Sequence, residues 1–348
     1  LLAPVSWGPA ASVTERSEPL VAVVTPVRNG ADQLARCLES VRTQDYARWI
    51  HLVVDNASTD ATREIADSFA ARDGRFAVVH CPELLPMLDN WNRALAAVPP
   101  AARYAKQLHA DDALRPGCLR AMVGVAERHP QASIVVSRFY SGPFLRPDDA
   151  PAAPALLAGR EVARGALVGR SNLLATPSLP LLRIERAPGW PALFRAPDFP
   201  AGHPAAPPGY CLGDKEAYLA PLERGDVAYL PEPLVFLERE GPSATSYARR
   251  VGGWHPSRLD LLLRRGARFL DAGELRAAVR RTVWKYAGSL AWRATAQGRL
   301  RDAEFCRYQR LCLADLVPRL REAGYARESA LLAGFAAGLR RLGSARSA

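Results

Sequence analysis

No apolar run in this 348-residue chain approaches the ~18 residues of a membrane-spanning helix, and the longest candidates, such as ALLAGFAAGL, fall well short. The opening stretch, LLAPVSWGPAASVTERSEP, lacks both a basic start and a sustained apolar segment, so it does not read as a signal peptide. It also lacks an initiator Met, as a trimmed chain would. Six cysteines (37, 81, 118, 211, 306 and 312) show no metal-ligand spacing and are too few to staple a chain of this size. Several sit in apolar runs, where a thiol serves as a small hydrophobe. Reduced thiols and a cytoplasmic setting are expected. No G-x-G-x-x-G is present, which removes the dinucleotide-binding signature. TPVRNGADQL has one Gly and no Lys, so it lacks the loop a sugar nucleotidyltransferase needs for a triphosphate. Aromatic–basic interleaving and known nucleic-acid modules are missing too, and no nucleic-acid partner is expected.

What is present is an ordinary globular composition, with 49% hydrophobic and 23% charged residues, enough to bury a sizeable core. The net charge of +11 is unevenly placed. From Arg249 onward there are 21 Lys+Arg against 8 Asp+Glu, a balance of +13, and the rest of the chain is close to neutral. Only Lys106, Lys215 and Lys285 are lysines. A GC-rich genome gives such an arginine bias without selection. The alternative is peripheral contact with an anionic membrane, since these charges accompany an apolar helical face.

The short β-branched run LVAVVTPV at 20–27 predicts a buried strand. Leu34, Cys37, Leu38 and Val41 then recur at helical spacing. WIHLVVDN predicts a second strand, and the STD after it starts a helix through Ile65 and Phe69. RFAVVHC, YAKQLHA and ASIVVSRFY predict further strands, LDNWNRALAAV a short helix, and PGCLRAMVGVAERH a helix with Pro116 in its first turn. Strands alternating with helices imply a mostly parallel α/β sheet covered on both faces. In such sheets ligands sit beyond the carboxyl ends of the strands. Those ends are polar here: Pro26–Asn29, Asp55–Asn56, His80–Cys81 and His109–Asp112. Residues 146–208 are rich in Pro, Ala and Gly and carry no clear period. GDKEAYLAPLERGDVAYLPEPLVFL predicts a helix and then a strand. Beyond Arg249 the pattern is helical, with Gly273, Gly298 and Gly324 expected to close successive helices.

VAVVTPVRNGADQLARCLESVRTQDYARWIHLVVDNASTDATREIA resembles the opening of family 2 glycosyltransferases, enzymes of the GT-A fold. LDNWNRALAA…YAKQLHADDALRPGCL is similar to the continuation in the branch that carries Asn-Trp-Asn before the strand, and GDKEAYLAPLERGDVAYLPEPL to the segment with the catalytic carboxylate. The resemblance spans roughly residues 20–240. It implies a GT-A domain at 20–248 with a mostly parallel sheet flanked by helices; outside it lie an N-terminal extension at 1–19 and the helical, Arg-rich region at 249–348. It also implies transfer of a sugar from a nucleotide-diphosphate sugar to a hydroxyl acceptor, such as a glycan or lipid-linked saccharide. Inverting, metal-dependent chemistry is expected.

The resemblance assigns roles residue by residue. Asp55 accepts a hydrogen bond from the donor base, and Pro26, Arg28 and Asn29 line the same pocket. The simpler reading of Asp55 is a cap on the Ser58–Asp60 turn. Asn92 matches an Asn bordering the nucleotide, while Trp91 stands in place of its usual Arg neighbour. The family's Asp-x-Asp is here His109-Ala110-Asp111, so Asp111 is the expected ligand of Mn²⁺ or Mg²⁺ and His109 departs from the pattern. Hard cations take oxygen ligands, and one at this point screens the leaving diphosphate. Asp112 is expected to cap the following turn. Asp214 aligns with the catalytic base, although Asp there is also a common helix cap; Glu216 is the fallback. The usual Arg-x-His is replaced by Glu238-Arg239-Glu240. These departures keep one alternative open: a nucleotide-sugar or glycan-binding protein that has lost catalysis.

Overall fold

The computed structural model describes residues 18–146, 150–171, 173–174, 180–194, 213–238 and 244–344. Two compact units emerge, Leu1–Arg195 with Asp214–Glu240, and Ala196–Gly213 with Gly241–Ala348.

The first unit runs β1 (Val21–Val27), α1 (Ala31–Arg42), β2 (Trp49–Asp55), α2 (Thr62–Arg72), β3 (Phe76–His80), α3 (Met87–Ala96) and β4 (Tyr104–Gln107). It continues β5 (Ala113–Leu114), α4 (Cys118–Arg128), β6 (Ala132–Ser141), β7 (Phe144–Arg146), β8 (Ala155–Leu157), α5 (Gly159–Val168), β9 (Leu181–Arg183), α6 (Gly213–Leu222) and β10 (Asp226–Leu237). One sheet holds the strands in the order β3-β2-β1-β4-β9-β6-β10-β5, with β7 on β6 and β8 on β10. Strands β3, β2, β1 and β4 are mutually parallel, as are β6 and β10, while β9 is antiparallel to both its neighbours. The sheet is mixed but mostly parallel, and its fold class is the expected one.

The periodicities explain the layers. Every residue of β1 is buried, as a strand covered on both faces requires. Val21, Val23 and Val27 join one core with Leu34, Cys37, Leu38 and Val41 of α1 and with Leu119 and Met122 of α4. Full burial of each such side chain contributes about 1.5–3 kcal/mol. Helix α3 packs against β1 and β2. Departures from expectation are local. Pro116 precedes α4 instead of lying in its first turn, because Gly117 is the N-cap. Strand β4 stops at Gln107, and the two-residue β5 pairs with β10, which no periodicity could announce. Strands β8 and β9 and helix α5 fall in the stretch left unassigned.

His51 of β2 is buried, with Nε2 2.8 Å from Thr25 Oγ1. Burial pushes its imidazole down to about 3 from an ordinary 6.5. The folded chain therefore keeps His51 neutral where the unfolded chain already binds a proton. Stability from this group is complete above about pH 6.5 and is lost as pH falls toward 3, at up to ~1.4 kcal/mol per pH unit. Urea melts should show wild type losing about 2–3 kcal/mol more than His51→Gln between pH 7 and pH 4.5. Parallel losses in the two proteins would contradict this.

The second unit is helical: α7 (Ala244–Val251), α8 (Trp254–Phe269), α9 (Ala272–Thr295), α10 (Ala303–Glu322) and α11 (Ala326–Ser344). Asp260 is buried between Arg264 and Arg319, joining α8 to α10. Gln309 accepts from the Tyr286 hydroxyl and donates to the carbonyl of Val251, so α9 and α10 share a satisfied buried polar link. Gly298 and Gly324 lie at φ 61 and 84, the left-handed region expected of a glycine that ends a helix. Gly273 does not. It lies in the first turn of α9, behind the Asp271–Glu274 capping box.

Candidate active site

Because β1 to β4 run parallel, their carboxyl ends share one edge, and register sets Val27 beside Asp55 and Asp55 beside His80. The loops at that edge interlock. Asn29 Oδ1 accepts from the Thr59 amide at 2.9 Å, while the Asn29 amide donates to Ser58 Oγ at 2.9 Å. The first amides of α1 are capped from the second loop, Gly30 by Thr62 Oγ1 (2.8 Å) and Ala31 by Asp60 Oδ2 (3.1 Å). Asn29 and Ala57 both take positive φ (50 and 55). For Ala57 that costs on the order of 1–2 kcal/mol, which the interlock must hold in place. Pro26 is buried at the end of β1, and Arg28 is exposed.

Asp55 is 1% exposed and performs the turn-capping role, its Oδ1 accepting from the Ser58 amide at 3.1 Å. Its other oxygen is 3.4 Å from His80 Nδ1. That nitrogen already accepts from Arg63 Nε at 3.1 Å, and His80 Nε2 is 2.9 Å from Asp67 Oδ1. The tautomer with its proton on Nε2 satisfies both of those contacts. In that tautomer Nδ1 has no proton to give, so Asp55 Oδ2 retains acceptor capacity. Asp55 caps its turn with one oxygen and presents the other. Asn56, by contrast, is spent: its amide donates to the Leu85 carbonyl and accepts from the Leu85 amide.

The residues His109–Asp112 lie between β4 and β5, and pairing of β5 with the end of β10 anchors them. Arg36 of α1 donates to the Asp111 carbonyl at 2.7 Å and pairs with Glu238 at 3.2 Å. The backbone of Asp111 is thus held while its carboxylate carries no hydrogen bond or ion pair among the described residues. Asp112, expected to cap the next turn, is buried with Oδ2 3.8 Å from His109 Nδ1, and its charge is felt by the buried Lys106. Trp91 stacks on His109, ring centroids 4.8 Å apart, and meets Phe194 edge-on at 4.9 Å. Two of the residues that depart from the family pattern, Trp91 and His109, therefore touch each other. Asn92 uses its whole amide on the Phe194 backbone, donating to the carbonyl (2.7 Å) and accepting from the amide (3.0 Å). Its contribution is to hold Phe194 beside Trp91.

Ligand atoms of His109, Asp111 and Asp112 lie within 4.8 Å of one another. Burial lowers the proton affinity of His109, with Lys106 adding to that and Asp111 opposing it; the neutral ring keeps a lone pair. Gln107 Nε2 is 3.2 Å from His109 Nε2, while the buried Gln107 Oε1 has no partner among the described residues. Turning that amide over would let its oxygen accept from Nε2–H and leave the Nδ1 lone pair facing the carboxylates, as second-shell partners of ligating histidines do. These residues fit a divalent cation.

The backbone of Asp214 lies in the first turn of α6, and its side chain falls outside the described residues, as does Arg239. Glu216 is buried in the same helix. Arg36, Gln107 and Phe194 of the site were not singled out in the sequence. Arg36 is on the exposed side of an amphipathic helix, where nothing marks it, and Phe194 ends a stretch without period.

Residues 22–163 match the model of the Glycosyl transferase family 2. TuaG of Bacillus subtilis, named for teichuronic acid biosynthesis, is 35% identical over 95 residues, which are 27% of this chain and 37% of its own. O-antigen biosynthesis protein RfbC of Myxococcus xanthus is 30% identical over 167 residues, 45% of this chain and 13% of its own. The chain therefore spans less than two fifths of either relative. Among solved structures, S. aureus TarS 1-349 aligns over 92% of both chains with a TM-score of 0.54 at 12% identity. Its complex with UDP-GlcNAc aligns with a TM-score of 0.55 at 11% identity. The fold is that of the GT-A glycosyltransferases.

Proposed function

We propose that this chain is a metal-dependent, inverting glycosyltransferase that moves a sugar from a nucleotide-diphosphate sugar to a hydroxyl acceptor, using residues 20–248. The observation that carries the reading is one sheet edge, inside the family-matched stretch, that offers oxygens from two carboxylates among the described residues. Asp55 keeps one oxygen after its turn is capped, and Asp111 keeps both.

In this reading Asp55 Oδ2 accepts from an imide N–H of the base, and Pro26, Arg28 and Asn29 line the nucleotide pocket. Arg28 is an exposed cation just beyond the end of β1. Asp111, with His109 and Asp112 adjoining, would hold Mn²⁺ or Mg²⁺, whose charge neutralises the diphosphate when bound. Asn92 keeps its bordering role indirectly, by fixing Phe194. The sequence Asn90-Trp91-Asn92 supports placing the chain in the branch that carries this motif. Asp214 takes the acceptor hydroxyl proton as oxygen bonds to the anomeric carbon. The sugar–phosphate bond breaks with its electron pair leaving on the nucleoside diphosphate. Attack from the face opposite the leaving group inverts the anomeric centre. The names of TuaG and RfbC, which refer to teichuronic acid and O-antigen biosynthesis, support a cell-envelope polysaccharide acceptor; a lipid-linked acceptor and a cytoplasmic setting at the inner membrane face belong to the same proposal.

The test is release of nucleoside diphosphate from UDP-, GDP-, dTDP- and CDP-sugars with envelope saccharide acceptors, with the product anomer read by NMR. Acceptor-dependent release with inversion is expected. Donor binding without release under any pairing would return the catalytically decayed reading.

A further inference from the structure

Among the described residues of the helical unit, three tryptophans stand in water: Trp284 is 66% exposed, Trp292 53% and Trp254 39%. Trp284 and Trp292 are both on α9, about 12 Å apart along its axis at 1.5 Å per residue. That helix carries five basic residues and one acid. Lys285 adjoins Trp284, Arg281 is one turn before it, and Arg293 adjoins Trp292. Helix α8 brings Trp254, His255 and Arg258 to the same group of charges. After burial, the largest influence lowering Arg258 is Arg281, and those lowering His255 are Lys285, Arg258 and Arg293. Like charges are crowded here, and they disfavour the charged forms of Arg258 and His255.

A surface that combines exposed tryptophan with crowded cations is suited to an anionic partner with an apolar layer behind its charges. Among the described residues, the acids of this unit other than Glu322 are engaged elsewhere. Asp260, Glu304, Asp302, Asp315 and Glu328 already pair with Arg264, Arg250, Arg299, Arg319 and Arg280, and Asp271 and Glu274 close the capping box of α9. A second copy of this unit therefore brings few acids to meet the patch. Indole rings settle at the headgroup level of a bilayer, where their apolar bodies and N–H groups are both accommodated. Arginine and lysine beside them meet lipid phosphates.

We propose that the α8–α9 surface bearing Trp254, Trp284 and Trp292, with Arg258, Arg281 and Lys285, docks the protein on an anionic lipid bilayer. The proposal gives a residue-level contact to the membrane-peripheral setting above and rests on that reading for its biological sense, but its physics is tested separately. The full chain is sedimented with vesicles of phosphatidylcholine containing about 30% phosphatidylglycerol, and with pure phosphatidylcholine. Wild type should pellet with the anionic vesicles only, release as salt rises to about 0.5 M, and blue-shift its tryptophan emission on binding. W284S/W292S, two exposed positions, should keep the circular dichroism of wild type and bind at least about tenfold more weakly. K285E should weaken anionic binding and flatten its salt dependence. Vesicle binding unchanged in W284S/W292S, equal pelleting with neutral lipid, or none at low salt would each overturn the proposal. So would a dimer that wild type forms and the double variant loses, with no vesicle binding by either. Nucleotide-sugar binding is measured on the same samples: its absence would count against the transferase reading and leave the docking result to stand or fall alone.

Discussion

Asp214→Asn is expected to slow sugar transfer by about 10²–10⁴ while leaving donor affinity within a few-fold of wild type. Asparagine keeps the size and hydrogen-bonding reach of the carboxylate but cannot take up the proton that the acceptor hydroxyl releases. The topology supports the choice. Helix α6 feeds β10 through the short turn at 223–225, and β10 runs parallel to β6 and ends beside the His109–Asp112 loop, where β5 pairs with it. A helix that leads back to the start of such a strand sets out from the carboxyl edge, where ligands of α/β sheets bind. Single-turnover transfer at near wild-type rate in the variant would remove Asp214 from the mechanism. Glu216, two residues on in α6, would then be the group to replace.

Asp111→Ala should abolish the dependence of donor binding on Mn²⁺ or Mg²⁺ and weaken binding by more than about 100-fold. Loss of a partner one shell further out already costs 10–100-fold in metal affinity. The fold should survive, because Arg36 holds the carbonyl of Asp111 and not its carboxylate, and alanine keeps that bond. Calorimetry with added metal and with chelator reads both effects. Equal donor affinity in the two proteins, insensitive to chelator, would show that the carboxylate holds no cation.

Much of this site could be read from residue order because its parts are local. β1, α1, β2 and α2 each carry their own periodicity, and a parallel arrangement then brings Asn29, Asp55 and Asp111 to one edge without any knowledge of side-chain contacts. What was illegible depends on pairs distant in the chain. Trp91 and His109 were recognisable as two separate departures from a family pattern. Their stacking joins a helix to the end of a strand, and shows them to be one feature. Asn92 carried a binding expectation from its position, but its amide closes on Phe194, 102 residues away in a segment with no period. Strand β5 has two residues and exists only because β10 lies beside it. Gly273 shared the spacing of Gly298 and Gly324 but not their backbone, since Asp271 already sets the boundary of α9.

The central claim is that the carboxyl edge of the sheet binds a nucleotide-diphosphate sugar through Asp55 and a cation on Asp111. Thermal shift of the full chain against UDP-, GDP-, dTDP- and CDP-sugars, with Mn²⁺ and with chelator, measures it most directly. At ~100 times its dissociation constant a donor should stabilise the protein by ~2.7 kcal/mol. Such a shift is expected for at least one donor, present with Mn²⁺, lost with chelator and lost in Asp111→Ala. No shift with any of the four donors in the presence of Mn²⁺, or one that persists unchanged in Asp111→Ala, would contradict it.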